Sequence, residues 1–247
     1  MINKMDSNYE LKYHSLEENY WWFKSRRNII TQQLINLNIS PSAKILEIGC
    51  SGGALLNQLK SLGYTDLHGI DISKSAIELS IQRGVENTHV MDAIDLNFDS
   101  SYFDVVIASD ILEHIEDDSK ALEEWKRVLK DKGSLILYVP ALKSLWSKHD
   151  EINHHFRRYE KNHFKRFLIS SGFHLTKLSF WNFTLFFPSY VIRKIQNLKK
   201  DDSKDQLYKI NPLLNYMLIM LLNLESFVLS KINFPVGISL FAICKKE

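Results

Sequence analysis

The run Ile45-Leu46-Glu47-Ile48-Gly49-Cys50-Ser51-Gly52-Gly53, followed by Gly69-Ile70-Asp71, restricts the folds open to this chain more than any other stretch. Branched apolar residues read as a buried strand over 44–48, the glycines as a tight turn, and 54–62 as a helix that Gly63 stops. A second strand over 67–70 then runs into an acid. This succession is a βαβ unit of the kind that cradles a nucleotide. Glycines let the backbone approach a ligand, and an acid at the next strand tip can accept from two ribose hydroxyls. The spacing is Glu-x-Gly-x-Ser-x-Gly. It is not the G-x-G-x-x-G of dinucleotide-binding turns, which argues against a nicotinamide oxidoreductase.

The alternation continues downstream. Ser73 caps a helix to 83 with Gly84 behind it, and 88–91 is a short third strand. Residues 103–108 (Phe-Asp-Val-Val-Ile-Ala) form a fourth, 119–130 an amphipathic helix, and 133–139 a fifth strand ended by Pro140. Residues 149–159 read as a histidine-rich loop, 161–171 as a helix and 173–180 as strand six. Strands alternating with helices predict an α/β fold with a doubly wound sheet covered on both faces. Ahead of it, Ile29, Ile30, Leu34 and Leu37 recur at helical spacing, so 1–40 is expected to be a helical cap. Residues 182–236 form an unusual insertion before a last strand at 237–243. Its middle, 199–209, is charged and reads as a mobile loop, and its flank at 213–229 is strongly apolar.

At 247 residues one domain over 1–247 accommodates everything. A net charge of +2 excludes nucleic-acid binding through bulk charge. Two cysteines are too few for a disulfide framework and suit a reducing cytosol, and residues 1–20 contain no apolar leader segment, so a cytoplasmic protein is expected.

These motifs resemble those of class I S-adenosylmethionine (SAM)-dependent methyltransferases, whose first motif reads E/D-x-G-x-G-x-G; here Ser51 replaces the middle glycine. The resemblance covers residues 20–172 and the final strand. It implies a Rossmann-like, seven-stranded, mostly parallel sheet with an antiparallel last strand and a helical insertion between strands six and seven. It further implies SAM as cofactor. Gly49, Ser51 and Gly53 would pass under its methionine part, with Glu47 facing the ammonium group. Asp71 would take the ribose hydroxyls, Asp92 the adenine amine, and Ile72, Ala93 and Ile94 would lie along the adenine ring. Arg26 would meet the carboxylate, with Trp22 as a lid.

Ser109-Asp110-Ile111-Leu112-Glu113-His114 resembles the E-x-x-E-H element of quinone-biosynthesis O-methyltransferases and of a small-RNA 3′-end methyltransferase family. There those side chains hold a divalent metal, which would place magnesium on Asp110, Glu113 and His114. A helix start with structural hydrogen bonds is the preferred alternative. His114, His154, His155 and Asp110 are the candidate catalytic groups, since a neutral imidazole can take a proton from a hydroxyl. Arg157 and Arg158 suit either an anionic substrate group or a surface ion pair. The expected reaction moves a methyl group to a small-molecule acceptor, with oxygen weakly preferred. The rivals are an acceptor that is lipid-linked or at a membrane surface, reached through 182–236 by a peripherally bound enzyme, and a non-catalytic scaffold with a relict SAM fold. The apolar flank of the insertion could equally be a core helix or a homodimer interface.

Overall fold

The computed structural model describes residues 13–199 and 210–247. Helix α1 (Trp21–Asn36) precedes β1 (Lys44–Ile48), α2 (Ala54–Ser61), β2 (Asp66–Asp71), α3 (Lys74–Gln82), β3 (Thr88–Val90) and β4 (Phe103–Ser109). Next come α4 (Asp118–Val128), β5 (Leu129–Pro140), α5 (Lys148–Ile152), α6 (Lys161–Ser170) and β6 (Phe173–Trp181). The chain closes with α7 (Phe186–Lys199), α8 (Pro212–Leu229) and β7 (Ser239–Lys246). The seven strands form one sheet in the order β3-β2-β1-β4-β5-β7-β6. All pairings are parallel except those of β7, which runs antiparallel to both β5 and β6. This is the mostly parallel doubly wound sheet that the alternation predicts.

The central strands are continuous apolar runs because both faces are covered. Val105, Val106 and Ile107 of β4 and Leu135 through Val139 of β5 are fully buried, and Trp125 of α4 packs beneath them. The Trp125 indole donates to the Ala93 carbonyl at 2.9 Å, which fixes the loop after β3. Several boundaries differ from the sequence reading: β5 begins at Leu129 rather than 133, and β7 runs Ser239–Lys246 rather than 237–243. Helix α4 ends at Val128 rather than 130, because Leu129 already pairs with Phe103 in the sheet. Within 149–159, read as a loop, Lys148–Ile152 is a short helix closed by a capping box between Ser147 and Asp150.

The insertion holds α7 and α8; of its charged middle, 200–209 lies outside the described residues. Helix α8 packs on α1. Asn215 Oδ1 accepts from the Trp21 backbone N–H at 2.8 Å, and Asn28 donates to Asn223 at 3.0 Å. Its buried Glu225 accepts from Phe183 N, Thr184 N and Thr184 Oγ1, tying the helix to the exit of β6. The polar residues that interrupt its apolar run are therefore its docking contacts. The opposite face is bare: Leu213, Met217, Met220, Leu224 and Phe227 are exposed, as are Phe187, Val191 and Ile195 of α7. Among the described residues, α8 is the one helix long and apolar enough to cross a membrane by length and composition, with 22% of it buried.

Candidate active site

A cavity of about 600 Å³ opens at the carboxyl ends of β1, β2 and β4, between α1 and α7. In an open α/β sheet this is where ligands bind. Trp22, Arg26, Glu47, Gly49, Ser51, Asp71, Ile72, Ala93, Asp110, Glu113, His114 and His155 all line it. Gly53, Asp92 and His154 do not.

The turn after β1 is left-handed at Gly49 (φ 71°), Ser51 (φ 49°) and Gly53 (φ 74°). Gly49 N and Cys50 N donate to the Ile70 carbonyl at 2.8 and 2.9 Å, so the turn is sewn to β2. A Cβ at Gly53 would drive into the Ser80 side chain, so glycine there allows α2 to lie against α3. Ser51 carries the same backbone shape at a steric cost of roughly 1–2 kcal/mol. Its hydroxyl sits 3.3 Å from the His14 Nδ1. Asp71, at the tip of β2, accepts from Ser51 N at 3.0 Å and Ser73 N at 2.9 Å. Asp92 accepts from Ile94 N at 3.1 Å, in the loop beside the cavity.

Glu47 is buried, and its Oε2 has no hydrogen-bond partner among the described residues. Burial, with the Glu17 carboxylate nearby, pushes its carboxyl well above the usual range. An orphaned acceptor aimed into a cavity is the group an ammonium would satisfy, and on this ground Glu47 fits the methionine end of SAM. Arg26 is held in an aromatic cage at the cavity wall. Its guanidinium lies 4.3 Å from the Tyr138 and Trp181 rings and 5.3 Å from Trp22. One nitrogen bonds Asp110 (3.1 Å) and Ser239 (3.0 Å), while Nε and Nη1 are buried without partners among the described residues.

The reacting end is built from two segments. Leu112–His114 is a single 3-10 turn rather than the start of a helix, and it carries Glu113 and His114. The turn after α5 swings His155 to within 4.6 Å of His114, ring centre to ring centre and perpendicular. Ligating atoms of Glu113, His114 and His155 all lie within 4.8 Å of one another. The expected metal trio contained Asp110 in place of His155; Asp110 is instead taken up by Arg26. Burial and the Asp110 charge push the Glu113 carboxyl well up, and its Oε2 lacks a partner among the described residues. Burial, then His155, lowers His114 to about 3, which leaves it neutral. Two imidazoles and an orphaned carboxyl oxygen suit a divalent cation.

His155 Nδ1 lies 2.9 Å from Asp150 Oδ1. Asp150 is wholly buried and also accepts from Arg158 Nε at 2.8 Å and from Ser147 N and Oγ at 2.9 and 3.2 Å. Burial alone would raise this carboxyl; the hydrogen bonds and the Arg158 charge outweigh it and hold it below the usual carboxylate range. His154, its neighbour, is exposed at φ 55° and is not among the residues that line the cavity. The arginine pair divides likewise. Arg157 pairs with Asp118 near the surface, whereas Arg158 is buried on Asp150.

Sheet order and a cofactor-sized cavity at the strand tips define a Rossmann-like α/β fold of the methyltransferase type. The sequence profile of the family described as "Methyltransferase domain" matches residues 46–137. Over residues 46–137 the chain is thus similar to SAM-dependent methyltransferase domains. It is 31% identical over 102 residues to a ubiquinone biosynthesis O-methyltransferase of Paraburkholderia phymatum, covering 36% of this chain and 41% of that protein. The corresponding protein of Pelagibacter ubique is 31% identical over 123 residues, covering 47% and 50%. The chain thus spans half or less of the length of these curated relatives. Among solved structures, phosphoethanolamine N-methyltransferase 2 of Haemonchus contortus superposes with TM-score 0.62 at 17% identity, over 96% of this chain and 56% of that one. The [4+2]-cyclase SpnF does so with TM-score 0.62 at 14% identity, over 93% and 86%. Likeness at such identity shows the fold alone.

Proposed function

We propose that this protein transfers a methyl group from SAM to a hydroxyl of a small-molecule acceptor inside the cell. The observation that carries the reading is the His155–Asp150 pair, set in the same cavity as Glu47 and Asp71. When bound, SAM supplies an electrophilic methyl carbon on a sulfonium, and the C–S bond electrons stay on sulfur as the methyl leaves. Asp71 holds the ribose hydroxyls and Glu47 the ammonium group. His155, kept with its proton on Nδ1 by Asp150, presents Nε2 to take the proton of the acceptor hydroxyl. Neutral His114 packs edge-on against His155 and fixes its ring plane. Trp22, backed by the buried ring of Trp181, excludes water from the site. Glu113, His114 and His155 would alternatively hold a divalent cation; His155 Nε2 would then be a ligand instead of the base, and the cation would acidify a bound hydroxyl. The two relatives named for O-methylation support an oxygen acceptor.

Calorimetric titration with S-adenosylhomocysteine (SAH), with NADH as control and with and without magnesium, tests this reading. Binding of SAH alone is expected. Absence of SAH binding would favour the scaffold reading.

A second reading, a lipid-linked acceptor, is favoured by the bare apolar faces of α7 and α8. It predicts that the protein floats with phosphatidylcholine–phosphatidylserine vesicles and that replacing Leu213, Met217, Leu224 and Phe227 together by serine abolishes flotation. Wild-type protein left at the bottom of the gradient would dispose of it.

A further inference from the structure

Among the described residues, the end of the cavity beyond His155 has two arginines, Arg158 and Arg193, within ion-pair range of one carboxylate, Asp150. An ionised carboxylate has about four acceptor positions. All four on Asp150 are filled, by Arg158 Nε, His155 Nδ1, Ser147 N and Ser147 Oγ. Arg193 reaches no closer to it than 3.8 Å, outside hydrogen-bond range. Its one hydrogen bond goes to a neutral group, the Leu145 carbonyl, at 2.6 Å. Nε and Nη2 donate to nothing among the described residues, although the side chain is only 12% exposed. His149 does not help, since burial and the Arg193 charge lower it to about 4 and leave it neutral.

A nearly buried guanidinium with free donors is costly unless an anion meets it. Arg193 lines the cavity from α7, beside Ser189 and Ile192. We infer that Arg193 is an anion-recognition residue for the acceptor, and that the acceptor is an apolar molecule carrying a carboxylate or phosphate group as well as its hydroxyl. The planar fork of Arg193 suits either group in a bidentate pair. The subsite shares Asp150 with His155, so an anion seated on Arg193 lies one residue away from the imidazole that takes the acceptor proton. This assignment rests on the reading of the cavity as the acceptor site. It specifies what that reading leaves open.

The test is calorimetry on the full chain with 3-phenylpropionate and its uncharged amide, each with and without SAH. Wild type is expected to bind the carboxylate about ten-fold or more tighter than the amide. Arg193→Met should erase that difference while SAH affinity stays at the wild-type value, and Arg193→Lys should restore part of it. Equal binding of carboxylate and amide by the wild type, or a preference that survives in R193M, overturns the proposal. SAH is read separately. SAH binding without anion preference defeats the subsite alone, and anion preference without SAH binding defeats methyl transfer alone. Inorganic phosphate and dodecyl phosphate below its micellar concentration separate the sources. Tighter binding of the dodecyl ester, lost in R193M, upholds an apolar acceptor, and equal binding of the two overturns that part of the proposal.

Discussion

Asp150→Ala is expected to lower the unfolding free energy by about 3–5 kcal/mol in urea denaturation, because it strands a buried cation without its partner. Arg158 is 2% exposed at its side chain, and among the described residues Asp150 is the one carboxylate it pairs with. The same substitution frees Ser147 N and Oγ at the start of α5 and releases His155. The pH dependence follows from the direction of the shift. The Asp150 carboxyl titrates lower in the folded chain than in the unfolded one, so its stabilisation is fully present above the ordinary carboxylate pKa of about 4. It is lost as pH falls below that value toward the folded one. Asp150→Asn, near in shape and without charge, should flatten that acid limb. A D150A protein within 1 kcal/mol of wild type would mean that Arg158 finds another anion and that the buried network is not what holds this corner together.

Asp71→Ala is expected to weaken SAH binding about 100-fold or more with the fold intact by circular dichroism. Two charge-assisted hydrogen bonds to ribose are lost together, and each is worth about 1.5–3 kcal/mol. A second effect adds to the first. Asp71 also accepts from Ser51 N and Ser73 N, so its removal unties the glycine turn from the tip of β2. Asp71→Asn, which keeps one acceptor oxygen, should fall between the two. Wild-type affinity in D71A would show that the cofactor does not sit over β2.

The glycine turn and the strand that ends in Asp71 were plain in the sequence because each is local. Turn chemistry, a capping serine at 73 and runs of branched residues act within a few positions of themselves. Ser51 was legible as a departure from pattern, but its left-handed backbone was not. The sequence could not show the partners of Arg26, since its three rings and its carboxylate come from α1, β5, β6 and the residue after β4. His154 and His155 look alike in the sequence, and one turn half-buries the second and exposes the first. Asp150 and Arg193 carry no motif that marks them as site residues. One sits among histidines, the other in a basic stretch beside aromatics, and the packing of α7 on the turn at Lys143–Leu145 brings them near each other. A buried aspartate within a capping pattern, Ser147 followed by Asp150, was the one local signal that could have marked the spot.

Strand β7 lies between β5 and β6, yet it is made after both. During synthesis, then, β5 and β6 leave the ribosome without the strand that pairs them. The hydrogen-bonding edge of β5, a fully buried apolar run from Leu135 to Val139, stays open until residues 239–246 arrive. Such an open edge is a template for pairing with other chains. The long detour through α7 and α8 lengthens that exposure. The nascent protein therefore has a defined window of vulnerability, and a chaperone that covers apolar strand edges would serve it most between the emergence of β5 and that of β7.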